Sequence, residues 1–343
     1  MNLDLLKELI KTPGISGFES RIRNFIKNEI KDKNLDSIFI DKLGNLICIK
    51  NGESDKKILL ISHMDELGLV VSSIDESGFI GFKKIGGIED QILISRVVKI
   101  LGEKEVFGVI GFLPPHLIIE RKSNEVIPWH SLKIDIGAKS KEEVLNKGIK
   151  IGDPIVFEKE VYFIDDFVIS RGIDDRFGCF ILLNLINEYK DKKPKNSLIF
   201  VFSTEEEIGL RGASVIAPQL NPNLIIAVDS ISSTDIYNTP TVYKNSVLVG
   251  NGPVIRKVDA RMIVDEELFE FVYNLAKKEN IPIQIAVSGG STDASISETS
   301  YIGYKSIPIC FPVRYTHSTV EISSLKDGEN LIKLLNVLIN YEL

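Results

Sequence analysis

Apolar residues recur at two different spacings along the chain, and the change between them divides the sequence into segments. At the start, LDLLKELIK (3–11) and SRIRNFIKNEI (20–30) place apolar residues every three or four positions, which predicts two amphipathic helices. NLICIK (45–50) and KILLISH (57–63) are shorter runs rich in apolar and β-branched residues, and they predict two strands. The chain therefore begins with helices followed by strands.

The segment from about residue 70 to 165 has a different pattern. It contains short strand-like runs separated by glycine and proline, such as LVVSSI, RVVKIL, VFGVIGFL and DPIVFE. Only KSKEEVLNKG has helical character in this segment. Short strands with turn residues between them are typical of a small sandwich or barrel. We therefore predict an inserted β-barrel-like domain over residues 70–165.

Helices and strands alternate again after about residue 170. FGCFILLNLINEY (177–189) predicts a long helix, and LKDGENLIKLLNVLINYEL (325–343) predicts a terminal one. Between them lie the strand candidates SLIFVFS, LIIAVD, IPIQIAVS and IPICFPV. This alternation indicates an α/β domain in which helices flank a mostly parallel central sheet. We predict that the domain is discontinuous and comprises residues 1–69 and 166–343.

Composition and charge narrow the classes of function. Among the 343 residues, 44% are hydrophobic and 26% are charged, which is ordinary for a globular protein. The net charge of -7 argues against a nucleic acid or an anionic membrane as the main partner. No apolar run reaches the roughly 18 residues that span a bilayer, and the N-terminus resembles an amphipathic helix rather than a signal peptide. Cys48, Cys179 and Cys310 are far apart with apolar neighbours, which predicts reduced core thiols and a cytoplasmic location.

Side chains of the kind that bind divalent metals follow several predicted strands of the α/β domain. In open α/β sheets, ligands collect at the carboxyl ends of the strands. Five such ends carry histidine or acidic residues, namely His63 with Asp65, Asp174 with Asp175, Glu205–Glu207, Asp229, and His317. These residue types at one edge of a sheet are typical of a metal site.

Each of these residues also has an ordinary structural interpretation. His63 and Asp65 project to the same side of an extended segment, so Asp65 could orient the imidazole, but a histidine can also simply end a strand. Asp174 and Asp175 point in opposite directions in an extended backbone, so at most one is expected to face a site. Asp229 taken alone could cap a helix, and His317 taken alone could occupy a loop. Their joint occurrence favours a metal site.

The set contains too many carboxylates for one structural zinc ion, which takes about four ligands. It suits two divalent cations about 3.5–4 Å apart. Three carboxylate ligands and a bridging hydroxide would balance the charge of two such ions. One glutamate of the run would then remain as a general base. His116 and His130 lie in the inserted segment without carboxylate neighbours, and we assign them no metal role.

The order of these motifs resembles that of the tetrahedral (TET) aminopeptidases. This family includes glutamyl and deblocking aminopeptidases and proteins labelled endoglucanase M. The resemblance covers nearly the whole chain, and its motifs are TPGISGFES, DKLGNLI, SHMDELGLVV, ISRGIDDRFGC, TEEEIGLRGA, GGSTDA and VRYTHSTVEI. Many family members have other residues at the positions of Glu205 and Thr319, but neither is an expected ligand.

The resemblance implies a role for each residue of the site. The implied ligands are His63 and Asp229 for one ion, Glu207 and His317 for the other, and Asp174 bridging both. Glu206 corresponds to the catalytic base of the family, Asp65 lies behind the first histidine, and Glu205 would face solvent or an ion pair. Asp293, in the GGSTDA loop, is expected to be structural, and this loop either lines the substrate site or forms a turn.

The resemblance also implies the activity and assembly of the protein. A metal-dependent aminopeptidase would release N-terminal residues from peptides through a metal-bridged hydroxide activated by Glu206. Zinc is the expected metal, with cobalt or manganese as alternatives. Dimers formed through the inserted domain would assemble into a tetrahedral dodecamer. The residues leave open a carboxypeptidase or deacylase with the same two-metal chemistry, a glycoside hydrolase and an inactive binding protein, although a glycoside hydrolase gives the two histidines no role.

Overall fold

The computed structural model of the chain describes residues 1–117, 126–244 and 246–341. Residues 118–125 of the predicted inserted domain, and residues 342–343 of the predicted terminal helix, lie outside the described residues. The chain divides into two compact units, one formed by Met1–Asp65 with Val161–Leu343 and the other by Glu66–Glu160. Among the described residues, no helix combines the length and the apolar character that a membrane crossing requires.

Helices and strands follow one another along both units. The helices are α1 (Leu3–Lys11), α2 (Ser20–Ile30), α3 (Lys141–Asn146), α4 (Ile173–Tyr189), α5 (Ala213–Leu220), α6 (Glu266–Lys278), α7 (Asp293–Thr299) and α8 (Leu325–Ile339). The strands are β1 (Ser37–Ile40), β2 (Leu46–Lys50), β3 (Lys57–His63), β4 (Gly68–Ile74), β5 (Ile80–Ile85), β6 (Val97–Leu101), β7 (Glu105–Gly111), β8 (Lys133–Asp135), β9 (Pro154–Phe157), β10 (Tyr162–Ile164), β11 (Phe167–Ser170), β12 (Ser197–Ser203), β13 (Leu224–Ser232), β14 (Val254–Val258), β15 (Gln284–Val287), β16 (Ser306–Arg314) and β17 (Glu321–Ser324).

The first unit is built on an 11-stranded sheet whose centre is parallel. Nine strands follow the order β1-β2-β12-β3-β13-β16-β17-β11-β10, and β14 joins β16 and β15. The pairs β12–β3, β3–β13 and β13–β16 are parallel, whereas both outer parts of the sheet are antiparallel. The central strands are nearly continuous apolar runs because helices cover both faces of a parallel sheet. The predicted α/β class is confirmed, with antiparallel strands added at the flanks.

The core of the first unit forms between this sheet and the helices on it. Helix α4 is buried along almost its whole length and packs against α1, α8 and β3. Phe177 of α4 makes edge-to-face contact with Phe311 of β16, with ring centroids 5.0 Å apart. Gly328 of α8 leaves room for the Phe177 ring, since a Cβ at this position would lie 2.4 Å from its Cζ. Close packing therefore fixes the position of α4, which begins beside the predicted site.

The second unit is a closed antiparallel barrel in the order β4-β5-β8-β7-β6-β9. Its interior is a separate apolar cluster that includes Leu69, Ile80, Val98, Ile134 and Ile155. Glycine and proline between the short strands supply the turns that such closure needs. The predicted β-barrel is confirmed.

Some element boundaries differ from those that the sequence pattern predicts. Helix α4 begins at Ile173, four residues before the predicted start, and its first turn is not helical at Asp174 and Asp175. Helix α8 ends at Ile339, short of the predicted end. Helices α5, α6 and α7 were not predicted. The three cysteines are buried and free, as expected for core thiols.

Candidate metal centre

The predicted ligands come together at the carboxyl ends of the central parallel strands. His63 is the last residue of β3, and the glutamate run follows Ser203, the last residue of β12. Asp229 lies near the end of β13, and His317 follows β16 by three residues. Because neighbouring parallel strands end at the same edge, residues far apart in sequence meet there. The start of α4 adds Asp174 to this edge.

Asp174 lies between the two histidines. One carboxylate oxygen, Oδ1, is 3.1 Å from Nε2 of His63, and the other, Oδ2, is 3.4 Å from Nε2 of His317. Asp229 Oδ1 is 3.9 Å from Nε2 of His63, while Glu207 Oε2 is 3.4 Å from Nε2 of His317. All five predicted ligands therefore meet in two groups, each with one histidine and one further carboxylate, that share Asp174.

Asp175 is also buried at this edge. It is joined to Asp174 by a cis peptide bond. Its Oδ2 accepts hydrogen bonds from the Ser62 hydroxyl, at 2.5 Å, and from the His63 backbone N–H, at 3.2 Å. A carboxylate oxygen of Asp175 also lies within 4.8 Å of ligand atoms of His63 and Asp229. Asp174 is thus the acid of the pair that contacts both imidazoles, and Asp175 supports the end of β3.

The site carries an excess of buried negative charge. Burial raises the pKa of Glu207 to about 8 and that of Asp229 to about 6, and it raises the pKa of Glu206 well above its usual value. Burial opposes the protonation of His317, but Asp174 and Glu207 outweigh this effect and raise its pKa to about 10. Two imidazoles cannot balance this many carboxylates, so divalent cations are the natural compensation. Mixed imidazole nitrogen and carboxylate oxygen donors suit zinc, cobalt or manganese, and the residues therefore fit such ions.

Asp65 connects the first histidine with the glutamate run. Nδ1 of His63 lies 3.2 Å from the Asp65 carbonyl oxygen and 3.5 Å from its Oδ1, which leaves Nε2 facing Asp174. The Asp65 carboxylate accepts hydrogen bonds from the backbone N–H groups of Glu206, at 3.0 Å, and Glu207, at 3.2 Å. The Ser16 hydroxyl donates to the same carboxylate at 2.7 Å. Asp65 therefore holds the backbone of Glu206 and Glu207 in addition to contacting the imidazole of His63.

The three adjacent glutamates face three different partners. Glu205 forms an ion pair with Arg211 at 2.5 Å, on the solvent side. Glu206 Oε2 is 3.9 Å from Nε2 of His63, and Glu207 faces the other histidine. The repulsion between adjacent carboxylates is reduced because their side chains diverge toward separate positive groups.

Glu321 is a residue of the site that sequence reasoning missed. It is buried at the start of β17, and its Oε2 accepts hydrogen bonds from the backbone N–H groups of Ile173, at 2.8 Å, and Asp174, at 3.3 Å. Its Oε1 accepts from the His317 backbone N–H at 3.1 Å. His317 has a φ of 62, a left-handed conformation that is unfavourable for a residue with a side chain. Glu321 thus holds the backbone of two predicted ligands, Asp174 and His317. Its position four residues after His317 was the signal in the sequence that could have pointed to it.

The GGSTDA segment leads into α7 beside the site. Asp293 is the first residue of this helix, and its Oδ2 accepts a hydrogen bond from the Ser203 hydroxyl at 2.5 Å. Burial raises the pKa of Asp293 to about 7. Within the described residues, the clusters with metal-binding geometry include neither His116 nor His130.

Comparisons with known proteins identify the family of this chain. The model of the M42 glutamyl aminopeptidase family matches residues 44–334. A lysyl aminopeptidase of Pyrococcus furiosus is 33% identical, and the match covers 98% of this chain and 96% of that protein. A glutamyl aminopeptidase of Lactococcus lactis is 30% identical, and the match covers 94% of this chain and 92% of that protein. A solved TET1 peptidase of Pyrococcus horikoshii, which can assemble into a tetrahedron or a large octahedral shell, is 41% identical over 99% of both chains, with a TM-score of 0.90. M42 peptidases are metallopeptidases. The chain therefore belongs to the M42 aminopeptidase family and is a hydrolase of peptide bonds.

Proposed function

We propose that the protein removes N-terminal residues from peptides with two divalent cations and with Glu206 as the acid–base group. The observation that supports this proposal most strongly is the position of Asp174, whose two oxygens lie 3.1 and 3.4 Å from the two imidazoles. A carboxylate in this position is suited to bridge two ions. The family supports the aminopeptidase activity itself, since its curated members carry that name.

The ligand atoms divide between two cations in this proposal. His63, Asp174 and Asp229 would hold one ion, and Asp174, Glu207 and His317 would hold the other. When bound, such cations polarise a carbonyl group and lower the pKa of a coordinated water. Zinc is the proposed metal, and cobalt or manganese would suit the same donors.

Glu206 is the remaining carboxylate beside the first histidine. Its carboxylate is nearly buried, and its Oε2 lies 3.9 Å from Nε2 of His63, as far as Oδ1 of Asp229 does, so its role as a base and not a ligand is part of the proposal. Burial raises the pKa of its carboxyl group above the ordinary glutamate value, and a positioned carboxylate of this kind can act as a general base. In the reaction, Glu206 takes the proton of the attacking water at its carboxylate and passes it to the leaving amine.

We also propose that the first unit carries catalysis and that the barrel forms dimer contacts in a homo-oligomer. The barrel exposes apolar side chains on β6 and β7, with Val97, Phe107 and Val109 each about half exposed. Exposed apolar side chains on neighbouring strands favour a protein interface. One solved relative is a dodecamer, and the Pyrococcus horikoshii relative can assemble into a tetrahedron, which supports the proposal that dimers of this protein form a tetrahedral dodecamer. A cytoplasmic location is supported by the three free cysteines.

Hydrolysis of a leucine-initiated peptide and its N-acetylated twin tests this function. Each peptide is incubated with the enzyme as purified, after chelation, and after addition of zinc or cobalt. We expect cleavage of the free peptide alone, with loss on chelation and recovery with metal. Cleavage of both peptides would favour a deacylase or endopeptidase, and cleavage from the carboxyl end would favour a carboxypeptidase.

A further inference from the structure

The backbone of the glutamate run is held by two carboxylates. The N–H of Glu205 donates to Oε1 of Glu19 at 3.2 Å, while the N–H groups of Glu206 and Glu207 donate to the two oxygens of Asp65 at 3.0 and 3.2 Å. These three consecutive residues lie outside any helix or strand, so the usual backbone partners are replaced by side chains. Each acceptor is a carboxyl oxygen, which can accept a hydrogen bond in either protonation state.

The conformation of this run needs such support. Glu205 has a φ of 55°, in the left-handed region that is unfavourable for a residue with a Cβ. The Glu206 side chain leaves the backbone immediately after this residue, so its direction depends on the backbone of Glu205. Hydrogen bonds to fixed carboxylates therefore select the backbone conformation from which Glu206 reaches the site.

The carboxylates that hold the run are themselves fixed by the N-terminal loop at residues 14–19. The Ser16 hydroxyl donates to Asp65 Oδ2 at 2.7 Å, and the N–H of Gly17 donates to Glu19 Oε1 at 2.6 Å. Ser16 and Glu19 are both buried. The loop is anchored in turn by the fully buried Arg176, which donates to the carbonyl oxygens of Leu9, Thr12 and Gly14.

We propose that Ser16 and Glu19 are positioning residues for Glu206. Ser16 acts by orienting Asp65, and Glu19 acts by holding the N–H of Glu205. This inference rests on the proposed role of Glu206, but it concerns a segment near the N-terminus that lies outside both groups of metal ligands.

Steady-state kinetics with matched variants test the proposal. Ser16→Ala removes the donor to Asp65, and Glu19→Leu removes the acceptor for Glu205 while keeping most of the volume. Glu19→Gln keeps an acceptor oxygen and serves as the conservative variant. We expect a kcat about tenfold lower for the first two variants, KM within about twofold and full metal content, with much of the kcat recovered in Glu19→Gln. Thr12→Val is the control, because the Thr12 hydroxyl donates to the Glu8 carbonyl oxygen at the end of α1 and has no described contact with Asp65, Glu19 or the glutamate run.

Amide hydrogen exchange gives a readout that does not depend on activity. The amides of residues 205–207 should exchange at least about tenfold faster in Ser16→Ala and Glu19→Leu than in the wild type, with protection retained in the core strands. Unchanged exchange at these amides overturns the proposal, as does faster exchange with an unchanged kcat. Loss of metal in parallel with kcat also overturns it, because the loop would then act through the ligands. A wild type that cleaves no peptide refutes the proposed function, while exchange alone still decides whether the loop holds the run.

Discussion

Replacement of Glu206 by glutamine tests the acid–base assignment with a minimal change in volume. The change removes the carboxylate whose Oε2 lies 3.9 Å from Nε2 of His63. A general acid–base group contributes about 10²–10⁴-fold to a rate, and each tenfold is about 1.4 kcal/mol, so the activation free energy should rise by about 3–5 kcal/mol. Because the proposal gives Glu206 no ligand role, the metal content should stay at the wild-type level.

The assay measures turnover of a leucine-initiated peptide and bound metal in the same Glu206→Gln sample. Glu205→Gln is the matched control, because this adjacent carboxylate pairs with the half-exposed Arg211. We expect its turnover to lie within about threefold of the wild type, because an amide keeps the shape of the side chain and an ion pair with an exposed partner contributes little. Turnover of Glu206→Gln within the same range would refute the assignment. An equal loss of turnover in both variants would show that the effect comes from the total charge of the glutamate run and not from Glu206 itself.

Three further predictions concern the ligands, the thiols and the core. Asp174→Ala removes the carboxylate shared by both ligand groups, so most bound metal and activity should be lost together; wild-type metal content after dialysis would contradict this. Burial raises the pKa of each of the three cysteines to about 12, so at about pH 8 a thiol reagent should label them only after denaturation, and rapid labelling of the native enzyme would exclude buried thiols. Gly328→Ala places a Cβ 2.4 Å from Cζ of Phe177, and this overpacking should lower the free energy of unfolding by about 1–3 kcal/mol. We expect this loss to exceed the stabilisation of roughly 1 kcal/mol that alanine gives a helix relative to glycine. The thermal unfolding midpoint should therefore fall, and a higher midpoint would show that the ring has room to move.

The sequence predicted a candidate site because the residues concerned are tied to local pattern. His63 and the glutamate run each follow an apolar run of strand length, and such positions fall at one edge of a parallel sheet. The structure brings these residues together as expected. It does so through the register of β3 and β12, in which His63 lies opposite Ser203.

The supporting contacts of the site were beyond the reach of sequence reasoning. Ser16 and Asp65 are 49 positions apart, and Glu19 and Glu205 are 186 apart. Hydrophobic periodicity shows which face of an element is buried, but it carries no information about which distant loop packs against it. Glu321 is four residues from His317, but its other partners, at the start of α4, are about 148 positions away, and local pattern could not show those contacts.

Local pattern by itself determined the α/β class, the inserted β-rich segment and the types of residue at the strand ends. These features follow from the spacing of apolar residues and from turn residues, which act over a few positions. Tertiary structure alone decided the order of the strands, the antiparallel flanks of the sheet and the contacts that hold Asp174 between two histidines. The physical reason is that strand order and loop contacts depend on packing between segments that are remote in sequence, where many arrangements satisfy the same local pattern.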